Sequence, residues 1–523
     1  MKALKLLGTT ALGVVVVALA GTAAAGPTRP TGENASSLVR IRLADDPNSL
    51  DPATMSNGAA YQLAQFTYNT LVTFRAGQIV PMLAEKWIAT PQAITFTLKR
   101  GITCSNGTKL TASMVQQSVQ RAVDPATKST LAQQYIGAGA TFSSNNSRRT
   151  FTVRVPKPNS DLLANFATPP LSIICPAGLA DPEALQRQSF GTGPYVLTSA
   201  VRGSGYTLRL RPSYAWGPNG ATAKGLPARV QLQVLADDTT ATNVFLTGGL
   251  DITFARSDSS AQRLLDRGYV QRGYTNHINF VAFNMGRGRP TADRTVRRAV
   301  IQALDPKVYA GAAAGSLGVP SKGNLFPTTT TCASTDGASL RPPFDTSAAR
   351  RTLESDGWRR GSNGVYEKGG EQLQLSILGN DAGGNAPAYV AQTLQDLGVK
   401  AQLRVVPISQ GVAPYGRNDW DVLTGTLLAP ITPSILSIVF GGGLDWGQIR
   451  DSDFSAGVAR AATASDAKGV CAGWRQAQNA LIGKLLVVPM AFTNRAAFGN
   501  KVAFTIAFSG LIDPTSIRLL KGK

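Results

Sequence analysis

Residues able to carry chemistry are few and scattered in this chain. A single histidine, His277, stands at the head of the apolar stretch Ile278-Asn279-Phe280-Val281-Ala282-Phe283-Asn284-Met285. A Ser-His-Asp or Cys-His unit would have to be built on that one imidazole, and its setting reads as that of a packed histidine. Ser465-Asp466-Ala467-Lys468 satisfies Ser-X-X-Lys, but the partner motifs Ser-Asp-Asn and Lys-Thr-Gly of acyl-transfer enzymes are absent; it reads as a solvated helix start. Neither a P-loop nor Gly-X-Ser-X-Gly occurs. Gly441-Gly442-Gly443 could cradle an anion but reads as a flexible loop. Cys104, Cys175, Cys332 and Cys471 form no Cys-X-X-Cys pair and have no histidine close in sequence, so neither a metal nor another cofactor is expected. An even count in an exported chain reads as two disulfides. Three pairings are open, and proximity favours Cys104–Cys175 with Cys332–Cys471. Loops of that length would each constrain the unfolded chain by roughly 4–5 kcal/mol.

The elements that must position such groups are clearest over residues 41–121. Val39-Arg40-Ile41-Arg42-Leu43 reads as a strand and runs into Asp45-Asp46-Pro47-Asn48-Ser49-Leu50-Asp51-Pro52. A helical run is expected through Tyr68, Asn69, Leu71 and Val72. Ile94-Thr95-Phe96-Thr97-Leu98 alternates like a half-buried strand. Thr111 is placed to cap a helix carrying Val115, Val119 and Ala122. Farther on, Gly191-Thr192-Gly193-Pro194-Tyr195 enters a strand, and Val230 to Leu235 alternates. Pro290, Asp293 and the amphipathic run Val296 to Asp305 follow the apolar stretch behind His277.

At the amino end, Met1-Lys2-Ala3-Leu4-Lys5, the apolar run Ala11–Ala20 and Ala23-Ala24-Ala25 have the pattern of a cleavable signal peptide over residues 1–25. No cysteine lies near the expected cleavage site, so no lipid anchor is expected, and the mature chain should be secreted, extracellular or periplasmic. Removing Lys2 and Lys5 from 52 basic residues leaves 50 against 31 acidic ones, a net charge of +19. The basic residues are dispersed, without aromatic interleaving, and no nucleic-acid partner is expected. A solvated basic surface, suited to an anionic cell wall, accounts for them.

The ordered series of motifs resembles the extracellular solute-binding proteins of the peptide and nickel class (family 5), the receptors of ABC importers. It runs from the Ser49-Leu50-Asp51-Pro52 loop, through Gly191-Thr192-Gly193-Pro194-Tyr195 and Phe283-Asn284…Asp293…Val296-Arg297, to Phe344-Asp345…Leu353…Gly357-Trp358. The resemblance implies a non-enzymatic, monomeric receptor that hands its ligand to a membrane permease. It also implies an α/β, two-lobed periplasmic-binding-protein fold, type II-like, of the large peptide-binding class. One lobe would comprise residues 26–285 plus 492–523, with 59–185 as an extra subdomain, and the other 286–491. The crossings would lie near Phe283-Asn284 and Pro489-Met490-Ala491.

By the same resemblance, ligand would lie between the lobes, against Asp46, Pro47 and Asn48 on one side and Gly425, Thr426, Leu427 and Ala429 on the other. Peptide-binding relatives carry Gly-Trp-X-Ala-Asp-Tyr-X-Asp-Pro in the second segment, its first aspartate receiving the peptide's α-ammonium. Here Gly425-Thr426-Leu427-Leu428-Ala429-Pro430-Ile431-Thr432-Pro433 puts threonine at the tryptophan position and alanine at that aspartate. Losing a charge-assisted bond typically costs ~1.5–3 kcal/mol. Two explanations stay open. Another acid, Asp46 or Asp445, supplies the charge for a peptide-like ligand; or the ligand lacks a free amine or is anionic.

Overall fold

The computed structural model describes residues 38–520, apart from 76–77, 130, 160, 271, 328–329, 408–412, 430–431, 465 and 508–509. The expected signal peptide, Ser465, Pro430 and Ile431 therefore lie outside the described residues.

One large mixed sheet organises the chain. Its strands are β1 (Leu38–Leu43), β2 (Tyr195–Val201), β3 (Gly205–Leu210), β4 (Arg229–Val234), β5 (Ile252–Ala255), β6 (Arg272–Phe283), β7 (Gly318–Pro320), β8 (Gln374–Asn380), β9 (Lys400–Val406), β10 (Val422–Leu428) and β11 (Val487–Gly499). They are ordered β9-β8-β10-β6-β11-β5-β1-β4-β3-β2, with β7 added to β11. Two groups within it are parallel: β4, β1 and β5, and β9, β8 and β10. Of these strands β10 is buried over its first five residues, as a central parallel strand covered on both faces should be, whereas β4 alternates and β9 is largely exposed at the sheet edge. Between the groups lie β6 and β11, long and antiparallel to each other. The change of neighbour falls between His277/Thr493, where β10 ends against β6, and Gly273/Ala496, where β5 ends against β11. Asn284 is buried beyond the far end of β6, donating to the Asn418 and Trp420 carbonyls.

Helices follow the parallel strands. Helix α1 (Gly58–Thr67) is capped by Asn57. Helices α2 (Asp238–Leu246) and α3 (Asp258–Leu265) follow β4 and β5, capped by Asp237 and Ser257, and α4 (Ala386–Leu397) follows β8. The run expected to be helical through Val72 stops at Thr67. Val72–Arg75 pairs with Gln78–Pro81 instead, as its β-branched and aromatic residues favour. Gly191 and Gly193 are required by close approach, since a Cβ at either would sit 2.3–2.5 Å from the Thr67 or Phe66 carbonyl at the end of α1.

A separate four-stranded antiparallel sheet, of 84–90, 93–98, 150–154 and 141–145, packs Phe96, Phe151 and Val153 against Val115 and Val119 of helix 112–123. That helix is capped by Thr111 as its sequence suggests, Met114 N–H donating to the hydroxyl at 3.4 Å. Cys104 is joined to Cys175 and Cys332 to Cys471. The first bridge ties the turn after strand 93–98 to the start of helix 176–180, and the second ties the connection after β7 to helix 467–483.

Candidate functional site

Register shows where the parallel strands end. In open α/β sheets, ligands bind beyond the carboxyl ends of the parallel strands, where strand order reverses. Here β5 runs along β11 from Gly499 and ends opposite Ala496, while β10 runs along β6 from Phe283 and ends opposite His277, itself paired with Thr493. The carboxyl ends of the two parallel groups thus approach one place, residues 493–496 of β11, from opposite directions. The loops after β1, β4 and β5 converge on it from one half, and those after β8 and β10 from the other.

The first edge is charged and tightly built. Arg42 is fully buried. Its Nη1 lies 2.5 Å from Asp238 Oδ1, and it also donates to the Leu235, Ala236 and Phe254 carbonyls. Asp238, opening α2, accepts from the Ser257 hydroxyl at 2.6 Å and from the Arg256 and Ser257 amides. Burial would raise its carboxyl, but the bonds from Arg42 and Ser257 outweigh it and bring it to about 2. Arg256 reaches Asp45 at 3.6 Å, both partly exposed.

Asp46, Pro47 and Asn48 lie in the loop after β1, and their polar groups are engaged within that half. Asp46 accepts from the Tyr206 hydroxyl at 2.7 Å and pairs with Arg202 at 3.5 Å. Burial, then the bond to Asp46, pushes the Tyr206 phenol well up. Arg202 also donates to the Pro47 carbonyl. The Asn48 carboxamide oxygen accepts from the Ser56 and Asn57 amides at 3.0 and 3.2 Å, and its nitrogen donates to the Thr54 carbonyl, so it closes its own loop.

The second edge is neutral at its core. Thr426 is buried within β10 and donates to Asn279 Oδ1 at 3.1 Å; Asn279 in turn donates to Thr493 at 2.9 Å. A hydroxyl row thus spans β10, β6 and β11. Gly425 admits the Phe280 ring, which a Cβ there would meet at 2.2 Å. Leu427 is half-buried and Ala429 buried at the strand end. Leu428 packs on the cluster containing Tyr61, Tyr68 and Leu185, so the end of β10 touches the α1 side of the molecule. The Ser316 hydroxyl, in the connection before β7, donates to Asp258 of α3. Asp445 is taken by Arg450, at 2.5 Å.

At the convergence itself stand two side chains that sequence reasoning did not assign to the site, Arg495 and His277. His277, half-buried as a residue, pairs with Thr493 across β6 and β11. Burial, and then the guanidiniums of Arg495 and Arg256, hold its imidazole down to about 3, so it is neutral. Burial and Arg256 likewise lower Arg495 to about 10, leaving it cationic at neutral pH. The available signal was a lone arginine in Val487-Val488-Pro489-Met490-Ala491-Phe492-Thr493-Asn494-Arg495-Ala496-Ala497-Phe498, an otherwise uncharged run.

A family model for the bacterial extracellular solute-binding proteins, family 5 Middle, matches residues 78–436. Protein XP55 of Streptomyces lividans is 27% identical over 387 residues, covering 70% of this chain and 66% of that protein. The periplasmic murein peptide-binding protein MppA of Escherichia coli is 30% identical over 298 residues, covering 52% of this chain and 53% of the relative. The chain thus aligns with just under two thirds and about half of these relatives' lengths. Among solved structures, a substrate-binding protein from Microbacterium hydrocarbonoxydans, complexed with 4-hydroxybenzoate hydrazide, superposes with a TM-score of 0.77 at 27% identity, over 92% of this chain and 100% of that one. The fold is that of the two-lobed periplasmic substrate-binding proteins.

Proposed function

The chain belongs to the bacterial extracellular solute-binding proteins, family 5, and from that membership we propose that it is the soluble receptor of an ABC importer, exported by its first 25 residues and acting as a monomer. Its lobes are assigned as 26–285 plus 492–523, with 59–185 as a subdomain, and 286–491; β6 and β11 carry the motion between them. Ligand sits in the cleft at 493–496 and is passed to a membrane permease. The observation that carries this reading is the convergence of two parallel strand groups on one stretch of β11, the place where a two-lobed α/β protein can close around a solute.

A peptide-like or small-metabolite ligand fits best. MppA is a murein peptide-binding protein, while the Microbacterium structure holds an aromatic hydrazide, so related clefts take both kinds of molecule. Ala429, buried and neutral where a peptide receptor would present a carboxylate, favours a ligand without a free α-ammonium. Asp46, Pro47 and Asn48 shape the wall of the cleft on one side, with Gly425, Thr426, Leu427 and Ala429 on the other. The test is mass spectrometry of small molecules released by denaturing natively purified protein. One organic solute at near-equal stoichiometry is expected. Protein that carries none, and whose dimensions in solution do not change with peptides or aromatic hydrazides, would contradict the reading.

A further inference from the structure

A buried guanidinium normally sits against a carboxylate, because removing its charge from water is costly without a counter-charge. Arg42 obeys this rule through Asp238. Arg495 does not. Its residue is 7% exposed. Among the described residues it forms no ion pair, and its guanidinium makes one hydrogen bond, from Nη1 to the Arg256 carbonyl at 2.9 Å. Asp238, the acid whose charge bears on it, is already engaged by Arg42, by Ser257 and by two backbone amides. Arg256 adds a second cation, held loosely by the exposed Asp45. Three guanidiniums therefore share two carboxylates at the point where the carboxyl ends of β5 and β10 meet. Beside them on β6 stands His277, opposite Thr493.

We propose that Arg495, with Arg256 beside it, is the anchor for a carboxylate of the ligand, so that the receptor takes an anionic solute. This rests on the receptor reading above and narrows it to a ligand class. The fixed fork of Arg495 suits a bidentate carboxylate, which would supply the missing counter-charge at the floor of the cleft. The second half, with Thr426 and Ala429, contributes shape and neutral polar groups, not charge. The ion pair forms only when solute is bound, which links recognition to closure of the lobes around it.

Two matched pairs of probes test this: tri-alanine against tri-alanine amide, and benzoate against benzamide. Each is titrated calorimetrically at up to millimolar concentration into wild type, Arg495→Gln and Arg495→Lys, with solution scattering read on the same samples. The carboxylate of at least one pair should bind wild type about tenfold or more tighter than its amide. That preference should vanish in Arg495→Gln and return in part in Arg495→Lys, which keeps the charge but not the fork. Equal or stronger binding of the amides, a preference surviving in Arg495→Gln, or no carboxylate binding at millimolar concentration would overturn the proposal. The two readings fail separately. If amides bind and the particle contracts, the receptor stands and the anion anchor falls. If a carboxylate binds through Arg495 without contraction, the anchor stands and the closing receptor falls. A melting temperature for each variant separates loss of binding from loss of fold.

Discussion

The two edges that meet at the cleft are built from different materials. The edge after β1, β4 and β5 is an ionic lattice in which Arg42, Asp238, Arg256, Asp45, Arg202 and Asp46 are linked by ion pairs and by bonds to backbone groups. The edge at the end of β10 is a row of hydroxyls, amides and small residues: Thr426, Asn279, Thr493, Gly425 and Ala429. The first fixes charge in place; the second packs closely and admits ring and backbone. The contrast implies that electrostatic selection of solute is made on one side, and fit on the other. It also implies that damage to the ionic side will read out in stability where the pair is buried, as at Arg42, and in binding where it is partly exposed, as at Asp46.

The largest effect should come from unbalancing the ionic edge. Asp238→Ala leaves the buried Arg42 guanidinium without its partner, and a loss of about 3–5 kcal/mol in denaturant unfolding is expected. A cost below about 1 kcal/mol would show that the lattice is not what holds that edge.

The two disulfides lie away from these edges, Cys104–Cys175 beside the separate four-stranded sheet and Cys332–Cys471 between the connection after β7 and helix 467–483. Replacing either pair by serine should cost about 2–5 kcal/mol. The second closes the longer stretch, 139 residues against 71, and its loss should be slightly the larger in paired unfolding curves.

Asp161 is buried, with its Oδ2 lacking a hydrogen-bond partner among the described residues. Burial raises its carboxyl to about 6, with Ser434 and Thr432 opposing that rise. Because the native value lies above the unfolded one near 4, the native state is favoured by the protonated form. The advantage is complete below about pH 4 and lost as pH rises through about 6. Asp161→Asn, neutral throughout, should therefore be more stable than wild type by about 1–3 kcal/mol near neutral pH, with the gap closing in acid. Parallel stability curves for the two proteins, with no pH-dependent gap, would show that the Asp161 carboxyl is not held up by burial.

The smallest effect is expected at Asp46. Its pair with Arg202 is partly exposed on both sides, so Asp46→Ala should cost no more than about 1 kcal/mol of stability while weakening solute binding measured by calorimetry. A large stability loss with unchanged binding would move Asp46 from the cleft wall into the scaffold.

What the sequence disclosed was local. The alternation of Ile94 to Leu98, the Thr111 cap and the two glycines at 191 and 193 each follow from the chain's own pattern and recur in the structure. The disulfide pairing followed from proximity. Thr426 was harder, because its hydroxyl turns to Asn279, a residue 147 positions away, and only the register of β10 on β6 reveals that. Arg495 was harder still. Its significance depends on the end of β5, more than two hundred residues earlier, coming level with Ala496, and no local pattern carries that alignment.

The most direct test of the account is solution scattering on wild-type protein stripped of solute with its disulfides intact, then given back the small molecule recovered from native preparations. The account predicts a saturable contraction with a stoichiometry near one, as two lobes close on the cleft at 493–496. A particle whose dimensions stay unchanged through saturation would contradict it.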